Sequence, residues 1–175
     1  MARLENLLGA HALALTDRLL AAETGRAAST SASERAALVT LHAHPDHLVS
    51  WLGDVLGLTS SGITRLVDRL VAAGWVTRTA GIDARSRRVK LTGAGRNRAR
   101  AVLNARSKAM ADALAGLPER DRRELERLLD LLVGTLAETR LPALRVCRLC
   151  DRSACASDGR ECPLEHTVPA NDADD

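Results

Sequence analysis

Residues 58–95 read LTSSGITRLVDRLVAAGWVTRTAGIDARSRRVKLTGAG, and two periodicities meet inside that stretch. In its first half Ile63, Leu66, Val67, Leu70 and Val71 recur at i, i+3, i+4, i+7 and i+8, the spacing of one buried helix face. Thr59 or Ser60 supplies an N-cap and Gly74 a stop. In the second half WVTRTAG and RVKLT are short β-prone runs flanking the charged turn IDARSR, which predicts a hairpin.

Upstream, Leu4, Leu7, Leu8, His11, Leu13, Leu15, Leu19 and Leu20 mark one amphipathic helix ending near Gly25. Polar residues from Thr30 to Ser33 start a second helix, ERAALVTLHAH, which Pro45 ends. Asp46 is placed to cap a third, HLVSWLGDVLG, closed by Gly57. Downstream of Thr92 the pattern returns to helix. A second long segment after Pro118 carries Leu125, Leu128, Leu129, Leu132 and Leu136 as a stripe, with Pro142 as its stop. Three helices followed by a hairpin make a winged helix-turn-helix. The expected fold class is mainly α with a small β-hairpin, flanked by N- and C-terminal dimerisation helices. The dimer is expected because a small winged unit has no room to bury both leucine stripes, and an exposed stripe marks an interface. The corresponding segments are 1–30, the N-terminal helix; 31–95, the winged unit; 96–142, the C-terminal helices; 143–168, a cysteine-rich tail; and 169–175, a disordered end.

Composition narrows the class. The chain has 175 residues, two Trp and no Phe or Tyr, so its core must come from Leu, Val, Ala and Ile. No run approaches the about 18 apolar residues of a membrane span. The N-terminus carries charges where a secretory signal would be apolar. A soluble, cytoplasmic protein is expected. The net charge is only +3, yet residues 59–100 hold ten Lys and Arg against two Asp. A basic block this concentrated is the footprint of a nucleic-acid binder. On the helix at 60–71, the face opposite the apolar stripe shows Ser60, Ser61, Thr64, Arg65, Asp68 and Arg69. Hydroxyls and amides at a helix N-terminus hold phosphate, and Arg bonds guanine bidentately in the major groove. Asp68 is better suited to orient an arginine than to touch DNA. The hairpin tip gathers Asp83, Arg85, Arg87 and Arg88, where an exposed Arg fits the narrow minor groove and Asp83 can hold Arg85 in place.

With these residues in view, the chain resembles the MarR-type transcriptional regulators. The resemblance is carried by residues 58–78 and by DARSRRVKLTGAG, in which Asp83, Arg85, Leu91, Thr92 and Gly95 fit the family's wing pattern. It extends over roughly residues 5–140. It implies a homodimer with interlocked terminal helices that presents two winged helices to a palindromic operator on double-stranded DNA. Such proteins usually repress transcription, and many release DNA on binding a small molecule or on oxidation, so a small-molecule effector is among the implied partners.

The four cysteines lie outside that pattern. Cys147, Cys150, Cys155 and Cys162 fall within sixteen residues, spaced C-x2-C-x4-C-x6-C. In a cytoplasmic chain such a set points to metal binding rather than structural disulfides. Four thiolates suit an iron–sulfur cluster, the preferred reading, and equally suit tetrahedral Zn²⁺. A cluster would make the tail a sensor; zinc would make it structural. His42, His44, Asp46 and His47 form a second polar group, but Pro45 breaks the helix between them, and surface placement is expected. Two other classes remain: a redox or electron-transfer protein centred on the thiols, and a helical protein-interaction scaffold. The first does not need the basic block and the second leaves the wing pattern unexplained. No nucleotide loop or Ser/His/Asp pattern suggests an enzyme.

Overall fold

The computed structural model describes residues 2–22, 30–80 and 87–169. Its helices, in chain order, are α1 (Arg3–Ala22), α2 (Ala32–Ala43), α3 (Val49–Leu56), α4 (Ser60–Ala72), α5 (Gly93–Leu114), α6 (Glu119–Gly134), α7 (Arg140–Cys147) and α8 (Arg152–Cys155). Three strands, β1 (His47–Leu48), β2 (Val76–Ala80) and β3 (Arg87–Leu91), form one antiparallel sheet in the order β1-β3-β2. In its register Val76 faces Leu91, Arg78 faces Val89 and Leu48 faces Arg88.

The helix starts follow capping chemistry. Ser31 caps α2 in a reciprocal capping box with Glu34, while Thr59 and Thr92 accept the amides of Gly62 and Gly95. α3 closes on Gly57, whose φ of 65° lies in the left-handed region that glycine enters without steric cost. Three residues then lead into α4, making the tight turn of a helix-turn-helix.

The core joins Leu38 and Leu41 of α2, Leu52 of α3, and Ile63, Leu66, Val67 and Leu70 of α4 to Val76, Val89 and Leu91 of the sheet and Ala99 of α5. Burying each large side chain contributes about 1.5–3 kcal/mol. With no Phe or Tyr available, Trp51 and Trp75 seal the edges, and the Arg98 guanidinium lies 5.3 Å over the Trp75 ring. α1 packs along α5, and α6 buries no side chain in the single chain. A smaller cluster, Ala137, Ala143 and Leu164 with Val133 and Val146 against it, organises the C-terminal segment. Among the described residues no helix is long and apolar enough to cross a membrane.

Three local expectations are corrected. Asp46 does not cap α3: its φ is 59°, Leu48 occupies the cap position without a side-chain bond, and the intervening residues pair as β1. Its carboxylate instead accepts from Arg88 Nε at 3.2 Å, and its carbonyl accepts from the same guanidinium. The hairpin is consequently one part of a three-stranded sheet. Pro142 does not end the leucine-striped helix, which stops at Gly134. It lies in the first turn of α7, where a missing N–H costs no helical bond.

Candidate nucleic-acid interface and four-thiol cavity

Ser60, Ser61, Thr64 and Arg65 are all exposed on the first turn and a half of α4. Their apolar opposites, Ile63, Leu66, Val67 and Leu70, are at most 3% exposed, so the rotation of the helix about its axis is set by packing. Thr64 Oγ1 donates back to the Ser60 carbonyl at 2.8 Å, and Ser61 Oγ lies 3.3 Å from the capping Thr59 hydroxyl. Arg65 makes no ion pair among the described residues. An exposed guanidinium beside hydroxyls and a helix N-terminus is chemically equipped for phosphate and a base edge.

The other charged residues of this region hold the geometry. Arg69 Nε donates to Glu34 Oε1 at 2.8 Å, tying α4 to the capped start of α2. Asp68 accepts from Arg78 Nη1 at 2.6 Å, and Arg78 also reaches the Thr64 carbonyl at 3.4 Å, which sets the wing strand against α4. Arg87 is exposed at the start of β3, while the neighbouring Arg88 is bound to Asp46. Asp83 and Arg85 at the hairpin tip lie outside the described residues. Glu34 and Arg78 were missed as positioning residues. The Ser31-x-x-Glu34 spacing could have revealed the first; nothing local reveals an Asp68–Arg78 pair ten positions apart.

Burial acts to raise the Glu34 pKa, but the bonds from Arg69, the Ser31 amide and the Ser31 hydroxyl outweigh it and hold the carboxyl below its ordinary value. A depressed pKa adds stability that is present above the ordinary carboxylate range and is lost as pH falls through the folded value. Glu34→Gln keeps a capping side chain but not the charge. It is expected to cost about 1 kcal/mol at neutral pH, discounted for the half-exposed Arg69, and nothing in acid, as read by urea unfolding at the two pH values.

The four cysteines are brought together by the tail. All are free thiols, and they line one cavity of about 320 Å³ with His44, Arg152 and neighbouring side chains. Cys147 ends α7, Cys155 ends α8, and Cys162 comes from the stretch before Pro163. The neighbouring Cys147 thiol lowers Cys150 to about 6, while Cys150 and burial raise Cys147. Burial opposes the drop at Cys150, and Arg106 and Arg148 reinforce it. Among the described residues no three His, Cys, Asp or Glu side chains converge tightly enough to hold an ion, so the thiols share a cavity without forming a closed ligand set. His44 and His47 pack on Trp51 instead, with ring centroids 5.6 and 3.9 Å away. Burial first, then Arg152, Arg140 and His47, depress His44 to about 4, which keeps it neutral.

A winged helix-turn-helix with long flanking helices is the class this geometry defines. The family model that matches the chain is that of the MarR family, over residues 30–86. A MarR family protein from Bacillus stearothermophilus is 28% identical with a TM-score of 0.64, covering 74% of this chain and 89% of that one. A probable transcriptional regulator from Pseudomonas aeruginosa is also 28% identical, covering 74% and 99%, with a TM-score of 0.56. Wild-type apo MarR from E. coli shares the fold at 22% identity, covering 75% and 98%, with a TM-score of 0.61. A comparison with curated proteins finds no match. The chain shares the winged helix fold of these proteins and matches the MarR family model over residues 30–86, and its C-terminal cysteine segment is a feature these comparisons do not account for.

Proposed function

We propose that this chain is a dimeric, sequence-specific DNA-binding repressor of transcription whose four-cysteine tail holds a metal centre. The observation that carries the reading is the exposed Ser60–Arg65 face of α4, locked to the wing by the Arg78–Asp68 pair. In a two-fold dimer each α4 enters a major groove, and the half-sites of a palindromic operator lie about one helical turn apart. Dimerisation is supported by Leu4, Leu13, Leu131 and Leu132, which are 54–76% exposed on α1 and α6. Their burial against a second copy removes an apolar face that a single chain leaves in water.

The test is operator selection from random duplexes, followed by affinity measurement across salt. Binding through phosphates gives a log–log salt slope of about −0.9 per contact. Arg65→Ala is expected to cost about 1–3 kcal/mol and to relax base preference at one position per half-site. Sequence-independent binding, or unchanged affinity for the variant, would count against the reading. Sedimentation at micromolar concentration showing only monomer would remove the dimer. The tail's occupant is an iron–sulfur cluster or Zn²⁺, and anaerobic purification with metal and sulfide analysis distinguishes them.

A further inference from the structure

The cysteine segment folds back onto the helix-turn-helix rather than trailing from the last long helix. Arg145 Nε, on α7, donates to the Asp54 carbonyl at 3.0 Å, so a cation from the tail caps the last turn of α3. The carbonyl of Arg148 lies 3.4 Å from Thr40 Oγ1 of α2, and Arg152 Nη1 lies 3.5 Å from His44 Nε2 at the end of that helix. On its other side the segment is tied to α6 through the Arg160–Glu126 ion pair, and to the α6–α7 connection through His166 Nε2, 3.2 Å from the Ala137 carbonyl. The thiols therefore sit in a bridge between the helix-turn-helix and the helix with the exposed leucine face.

We propose that metal binding by Cys147, Cys150, Cys155 and Cys162 is transmitted to the DNA-reading helix through α7 and its cap on α3. The inference rests on the four-thiol reading above and names how that site regulates. A tetrahedral thiolate centre holds its sulfurs about 2.3 Å from the ion. The four thiols line one cavity without converging, so loading draws the end of α8 and the Cys162 stretch onto the end of α7. α7 is held to the last turn of α3, and Gly57, Leu58 and Thr59 alone separate that turn from α4. Fixing the bridge in one arrangement reduces the freedom that the reading helix must lose on DNA, so the loaded form binds the operator more tightly.

The experiment uses the full chain with its selected operator, metal-free or loaded with Zn²⁺ under reducing, oxygen-free conditions. Loaded wild type is expected to bind about tenfold more tightly than the metal-free chain, within the usual range of coupling between sites. Arg145 is exposed and is not a thiol ligand. Arg145→Ala is expected to take up Zn²⁺ with unchanged stoichiometry yet to bind the operator equally with or without it, and Arg145→Lys to restore the difference. Cys147→Ser/Cys150→Ser loses both metal and difference. Equal or weaker operator affinity for loaded wild type overturns the inference, as does an undiminished metal effect in Arg145→Ala. A chain that binds operator but takes up neither Zn²⁺ nor iron with sulfide refutes the four-thiol reading and this inference with it, leaving the regulator intact. A chain that takes up Zn²⁺ but selects no operator refutes the regulator.

Discussion

Gly95→Ala is expected to destabilise the protein by about 3 kcal/mol, at the upper end of overpacking costs, and to take DNA binding down with it. In an exposed helix the same change adds about 1 kcal/mol of stability, because alanine is the better helix former. Here the sign reverses. A Cβ built on Gly95 would lie 1.9 Å from the Trp75 carbonyl oxygen and 3.2 Å from Leu91 Cδ2. That carbonyl cannot swing aside freely, since it accepts the Thr92 amide at 3.0 Å and has the Thr92 hydroxyl 3.2 Å away. The start of α5 would have to lift off the strand leading into the wing. Urea unfolding measures the cost directly. A midpoint equal to or above wild type would mean that α5 does not cross the wing this closely.

The second large effect is expected at Leu70. Its side chain is fully buried on the inner face of α4, among residues of α2, α3 and the sheet. Leu70→Ala removes that packing and leaves a cavity, at a cost of about 2–5 kcal/mol. The DNA-reading face is then lost through unfolding rather than through any contact with DNA. At Leu132, 54% exposed on α6, the same truncation is expected to change single-chain stability by less than about 0.5 kcal/mol and to act on association instead. Unfolding curves at several protein concentrations separate the two. A concentration-independent loss at Leu132 as large as that at Leu70 would place α6 inside the folded chain and remove the argument for a dimer.

Much of this architecture was legible in local sequence. The apolar spacing of Ile63, Leu66, Val67 and Leu70 describes the buried face of α4, and Thr59, Gly57, Thr92 and Gly74 mark where helices begin and end. Capping, turn chemistry and amphipathic periodicity operate over about four residues, so they are written in consecutive letters. The gathering of four cysteines in sixteen positions is equally local, and so was the expectation that they share one place.

Long-range placement was not legible. Asp46 carries the usual identity of a helix cap, yet its backbone enters the left-handed region because Arg88, 42 positions away, binds both its carboxylate and its carbonyl. Arg78 looks like any outward strand residue until the hairpin brings it to Asp68. Pro142 reads as a stop until Ala143 and Leu144 are buried beside it and a new helix forms around it. The dock of Arg145 on Asp54, 91 positions apart, connects the tail to the turn before α4. Each of these depends on a partner whose distance along the chain carries no information about its distance in space. Burial of the Leu, Val and Ile core creates those encounters, and the ion pairs and carbonyl bonds then select one arrangement among them.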